Sequence, residues 1–166
     1  MRMRIVLAGL ALLGGLASAA QTVSVAGEWR GLWTNPEGMV FSASMTLETG
    51  KGCKDCAVVG DGAVWGRIVW TLRKAGENPS PELAAKVGKT AVELVKGNLK
   101  GDELLELSGY EAEDPQQMKG MDQYRLAISE NGKVLGGITL NDGAWTGQFI
   151  AMRAQPSKAP AAPSTP

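Results

Sequence analysis

The sequence predicts an all-β fold: an eight-stranded antiparallel up-and-down barrel with one short helix. Three observations predict it. Stretches that alternate apolar and polar residues recur between Gly27 and Arg153, the period-2 mark of half-buried strands. Almost all are joined by short connections, a spacing that suits a meander. The last three strands form a one-sided sheet whose apolar face needs a cover, and curling the sheet shut supplies it while hiding the edges.

Taken in order, Gly27-Glu28-Trp29-Arg30-Gly31-Leu32-Trp33 puts Trp29, Gly31 and Trp33 on one face. Asn35-Pro36-Glu37-Gly38 is a turn. From Val40 to Glu48, Phe41, Ala43, Met45 and Leu47 share one side and Ser42, Ser44, Thr46 and Glu48 the other. A Gly/Lys/Cys loop from Thr49 to Cys56 follows. The strand Ala63 to Leu72 has Val64, Gly66, Ile68, Trp70 and Leu72 in one row, with Trp65, Arg67, Val69 and Thr71 in the other. Ser80 can cap a helix that opens with Pro81 and Glu82. Gly88 inside a helix costs about 1 kcal/mol, and Thr90, Val92 and Val95 favour extended backbone. A helix from Pro81 to Val87 and then a strand from Thr90 to Leu99 are therefore expected. A Lys100-Gly101-Asp102 turn leads into a strand from Leu104 to Tyr110, and the acidic, Pro-containing segment Glu111 to Met121 reads as a loop.

The final meander spans Asp122 to Arg153. Tyr124, Leu126 and Ile128 alternate with Gln123, Arg125 and Ala127. The following Glu130-Asn131-Gly132 turn can be counted two ways. A two-residue Asn-Gly turn puts Leu135, Gly137 and Thr139 on the face of Tyr124. A three-residue loop with Gly132 in a bulge puts Val134, Gly136, Ile138 and Leu140 there instead. The second buries more large apolar groups and is the expectation. Asp142-Gly143 then reads as a two-residue turn with Leu140 facing Trp145 and Ile138 facing Gly147. The inner row of the last strand becomes Trp145, Gly147, Phe149, Ala151 and Arg153.

Residues 1–20 read as a signal peptide: Arg2 and Arg4, an apolar run from Ile5 to Leu16, then Ala17-Ser18-Ala19-Ala20 with cleavage after Ala19 or Ala20. The run is short for a membrane span, and no cysteine marks a lipid-anchor site. The expected location is the periplasm or the medium. Residues 25–153 are expected to form a single barrel domain, large enough to bury roughly two thirds of its unfolded surface. Residues 154–166 are a Pro/Ala-rich tail expected to be disordered. The first twenty residues hold two of the 17 basic groups and no acid, leaving 15 basic against 17 acidic. That balance, with no basic run, argues against nucleic acid or anionic membrane as partner.

Gly27-x-Trp29 on the first strand, with Arg153 ending the last, resembles the calycin arrangement of lipocalins and avidins. The resemblance rests on two short motifs at the ends of about 127 residues. It implies a barrel opened by the glycine-spaced tryptophan, with an arginine near closure packing across that ring. The parity count places Trp29 and Arg153 on inner rows independently, where a guanidinium can lie over an indole. It implies a fold more than a ligand.

Chemistry is sparse. The chain has no histidine, which excludes Ser-His-Asp and Cys-His catalysis, histidine bases and the common zinc hydrolase sites. Cys53-Lys54-Asp55-Cys56 is preceded by glycines and followed by Ala57-Val58-Val59-Gly60, not by the helix that activates a redox pair. A Cys53–Cys56 disulfide stapling the loop is expected, worth about 2 kcal/mol by loop entropy; a redox pair and a metal site are the alternatives. Glu111, Glu113, Asp114 and Asp122 flank one loop and Glu93 interrupts an apolar strand, a pattern that could serve carboxylate chemistry or calcium but that commonly marks a solvated surface, with Glu93 pointing outward. No metal or cofactor is expected.

Trp29, Trp70, Tyr124, Trp145 and Phe149 are the candidate ligand-lining residues, with Trp33 and Trp65 as further tryptophans. Eight strands enclose side chains or one small ligand, so the same residues also read as plain core. The functional expectation is an exported, non-catalytic, monomeric binding module for a small apolar ligand at the barrel mouth. The alternative is a periplasmic interaction or inhibitor protein contacting an envelope protein through Asn35 to Val40, the Cys53–Cys56 loop or Glu111 to Met121.

Overall fold

In the computed structural model, which describes residues 23–52, 59–118, 120–141 and 146–155, eight strands follow one another. They are β1 (Gly27–Thr34), β2 (Met39–Gly52), β3 (Val59–Ala75), β4 (Thr90–Lys100), β5 (Leu104–Glu113), β6 (Asp122–Ile128), β7 (Val134–Asn141) and β8 (Thr146–Arg153). A helical turn, α1 (Pro81–Ala84), lies between β3 and β4. Each strand pairs antiparallel with the next, and β8 returns to β1 with Arg153 opposite Trp29 and Phe149 opposite Trp33. The expected up-and-down barrel is thus closed and has no free edge.

Strand direction defines two ends. Val23 to Ala26, the β4–β5 and β6–β7 turns and Arg153 gather at one, the closed end. The turn after β1, the segment holding α1 and the β5–β6 connection gather at the other, the mouth end. Inward rows follow the alternation: Trp29 and Trp33 on β1, Phe41 to Leu47 on β2, and Val64, Ile68, Trp70 and Leu72 on β3 are all buried.

Several boundaries differ from expectation: β2 runs to Gly52 through part of the expected Thr49 to Cys56 loop, and β3 spans Val59–Ala75 where Ala63 to Leu72 is expected. The helix stops at Ala84, not Val87, although Ser80 caps it as expected by accepting from the Leu83 amide at 3.2 Å. Beyond it the backbone is drawn back to β3: the Gly88 amide donates to the Leu72 carbonyl at 2.8 Å and the Leu72 amide to that of Lys89 at 3.1 Å. β5 extends past Tyr110 to Glu113, so part of the expected loop is strand. A bulge at Tyr110, between the Val95–Gly109 and Leu94–Glu111 pairs, lets the ladder resume after one extra residue.

The register of β7 is the larger correction. Leu135, Gly137 and Thr139 lie opposite Ile128, Leu126 and Tyr124, whereas Ile138 and Leu140 are exposed. The expected bulged loop is therefore wrong, and the parity is that of the Asn-Gly alternative. The Ser129 amide donates to the Val134 carbonyl at 2.9 Å, and the Ser129 hydroxyl accepts from the Val134 amide at 2.9 Å. Volume decides against the greasier row. Gly137 faces Leu126 and Phe149 from either side, and Thr139 accepts from the Trp33 indole N–H at 2.6 Å. Leucine and isoleucine there would overfill the interior.

Across the next connection Leu140 pairs with Thr146 and Ile138 with Gln148, not with Trp145 and Gly147 as expected. The one-residue shift cancels the parity error, so Phe149 and Ala151 are buried as the sequence predicts. The expected leader at 1–20, Cys53, Cys56, the Asp142-Gly143 turn, Trp145 and the tail beyond Gln155 lie outside the described residues.

Candidate functional site

The closed end is built around Arg153. Its guanidinium lies 4.4 Å from the centre of the Trp29 ring, donates through Nη1 to the Ala26 carbonyl at 2.6 Å and through Nε to the Gly132 carbonyl at 3.1 Å, and also reaches the Ser24 carbonyl. Trp29 in turn donates to the Val25 carbonyl at 2.9 Å. One side chain therefore joins the incoming segment, the first strand and the β6–β7 turn. Gly27 fits this junction because its φ is +124° and a Cβ there would lie 3.0 Å from Arg153 Nη1. Val25 and Trp29 are sealed from solvent, and beside them at this end an open pocket of about 320 Å³ is lined by Val23, Ser24, Thr49, Gly50, Lys51, Gly62 and Leu99.

In the mouth-end half, Glu93 points inward, contrary to expectation, and is fully buried. Ala91, Glu93 and Val95 form one inner row, and that parity was the signal available in the sequence. Its Oε1 accepts from the Asp122 amide at 2.9 Å, and its Oε2 from the Trp70 indole at 3.1 Å and from the Tyr124 hydroxyl. These bonds offset the cost of taking the carboxylate out of water. Room comes from Gly109, where a Cβ would come within 2.2 Å of Oε1. The Tyr124 hydroxyl also lies 3.4 Å from Asp122 Oδ2. Burial, with Glu93 and Asp122 alongside, holds that hydroxyl well above the usual tyrosine range.

Aromatic rings surround this hub. Trp70 and Tyr124 stack with their planes 12° apart and centroids at 6.5 Å. Phe149 meets them edge-on at 5.6 and 6.2 Å, Phe41 meets Trp70 at 6.2 Å, and Trp33 meets Phe41 at 5.7 Å. Such edge contacts add to simple burial. Nearest the mouth, the β5–β6 connection turns inward and adds Met118 to the same buried cluster.

The candidate residues therefore divide. Trp33, Trp70, Tyr124 and Phe149 come together as expected, with Phe41, Glu93 and Thr139 as members that the sequence reading leaves out of the set. Trp29 is inside but belongs to the closed end, 4.4 Å from Arg153. Trp65 is half-buried on the other row of β3. Glu111 and Glu113 are exposed on β5, apart from the buried Glu93 and Asp122. Trp29, Trp33, Trp70, Tyr124 and Phe149 lie together in one buried cluster.

No family model and no curated protein matches the chain. Among solved structures it is similar to a redesigned β-barrel, mFAP0, bound to DFHBI, with a TM-score of 0.54 and 12% identity, over 78% of this chain and 98% of that one. At that identity the likeness concerns the barrel fold alone. It agrees with a calycin-like barrel at the level of architecture.

Proposed function

We propose that this chain is a non-catalytic binding barrel that takes one small, largely apolar molecule at its mouth end, and that residues 1–20 direct its export to the periplasm or medium. The observation that carries the reading is that Met118, borne by the loop leading into β6 at the mouth end, is buried in the same cluster as the aromatic set. Methionine is unbranched and adaptable, and loop segments open at lower cost than strands. A ligand that displaced Met118 would enter the buried cluster that holds these rings. Apolar walls with a few convergent polar groups, here Thr139 and the Glu93–Tyr124 pair, are the usual composition of a small-molecule site. The redesigned barrel mFAP0, of like architecture, is bound to DFHBI, which is compatible with this use of the fold.

The test is a titration with anilinonaphthalene sulfonate, an apolar probe, followed by tryptophan emission. Saturable quenching at one equivalent, with severalfold tighter binding to Met118→Ala, is expected. No quenching, or equal affinity for both proteins, would sink the reading.

A further inference from the structure

Independently of the mouth, the outer wall of the barrel where its first and last strands meet carries an apolar face. Leu32 on β1 is 50% exposed, Ile138 and Leu140 on β7 are 48% and 53%, and Ile150 and Met152 on β8 are 56% and 64%. Together they present an apolar surface on the order of 500 Å², toward the top of the range for the largest patch on a typical monomer. Arg30 pairs with Met152 at one side of it and Arg125 with Ile138 at the other, and the exposed Gln148 lies within it between Thr34 and Ile138.

The register gives this face a particular shape. Ile150 pairs with Leu32 on one side and with Gly136 on the other, so the three lie on one line across three strands. Leu32 stands proud at one end of the line. At the other, a Cβ added to Gly136 would meet nothing within 4 Å, which leaves a dimple. A half-turn about an axis along β8 exchanges β1 and β7 and brings Leu32 of each copy onto Gly136 of the other, with Ile150 on Ile150 and Met152 on Met152. Such reciprocity is what a two-fold interface requires. The knob and dimple on one line favour a second copy of this chain over an unrelated partner.

We propose that the outer face of β7, β8 and β1 is the interface of a two-fold homodimer, in place of the monomer expected from the sequence. Two copies would cover roughly 1,000 Å² of apolar surface before any polar rim, the size at which stable interfaces begin.

Sedimentation of the full chain across the micromolar range tests it. The expected result is a reversible dimer, weakened at least tenfold by Ile150→Glu and also by Gly136→Leu, which fills the dimple. The double variant Leu32→Ala with Gly136→Leu moves the knob to the other strand and should regain most of the association. Thermal unfolding checks that each variant is folded, and Met152→Glu replaces Ile150→Glu if that one is not. A monomer throughout, a dimer indifferent to the charge substitution, or a double variant no better than Gly136→Leu alone would overturn the proposal.

Discussion

The hydroxyl of Tyr124 on β6 donates to the Glu93 carboxylate on β4, across a barrel in which β5 separates the two strands. The bond ties non-adjacent staves through the interior, and Trp70 from β3 joins the same oxygen. Sheet pairing alone makes no such link.

Replacing Glu93 therefore strands its donors. Glu93→Leu leaves the Trp70 indole, the Tyr124 hydroxyl and the Asp122 amide buried without that acceptor, and should cost about 3 kcal/mol or more, since each orphaned group costs about 1–3 kcal/mol. Glu93→Gln keeps the shape and should cost about 1–2 kcal/mol. Urea unfolding measures both; a Glu93→Leu protein as stable as the parent would contradict the assignment.

Tyr124 makes the protein alkali-sensitive. Its hydroxyl is held well above the usual range in the fold by burial and by Glu93 and Asp122, while the unfolded chain loses that proton near pH 10. Above that pH the unfolded state binds fewer protons than the folded one, so stability falls as pH rises toward the folded value and is fully present below about pH 10. Urea midpoints for the parent should drop across that window faster than those for Tyr124→Phe. Parallel pH profiles would exclude the effect.

Arg153 closes the barrel through its ring contact and its carbonyl bonds, and a point charge cannot reproduce the fork. Arg153→Ala should cost about 2–4 kcal/mol, and Arg153→Lys a large share of it. Thermal unfolding with near-ultraviolet dichroism of Trp29 reads the loss. Full stability of Arg153→Lys would show that charge alone suffices.

The β7 register gives opposite forecasts for neighbouring leucines. Leu135→Ala should cost about 2–4 kcal/mol, as core truncations do, while Leu140→Ala, on the outer face, should stay within about 0.5 kcal/mol. Reversed costs would restore the bulged loop.

That strand also shows where the sequence stopped being legible. On β2 apolar and polar residues alternate cleanly, and on β1 and β3 one row holds most of the large apolar groups, so parity gives the buried rows. On β7 both rows are plausible: one holds Ile138 and Leu140, the other Leu135, Gly137 and Thr139. Counting apolar groups favours the first, but the space left by Phe149, Leu126 and Trp33 admits only small groups beside them. Such volume constraints come from other strands and are invisible along one. Glu93 was hidden for a related reason: a charged residue in an apolar strand reads as outward until Trp70 from β3, and Tyr124 and the Asp122 amide from β6, are seen to converge on it. The Trp29–Arg153 contact, by contrast, was implied by the resemblance to lipocalins and avidins, and the parity of the first and last strands allowed it.

The most direct test of the binding proposal uses the indole N–H signals of the tryptophans in a nitrogen-15 correlation spectrum, recorded while an apolar probe such as anilinonaphthalene sulfonate is added. Trp33 and Trp70, which donate to Thr139 and Glu93 in the mouth-end half, should shift to saturation together, and Trp29, locked under Arg153 at the closed end, should stay in place. No shift at Trp33 and Trp70, or a larger one at Trp29, would contradict the account.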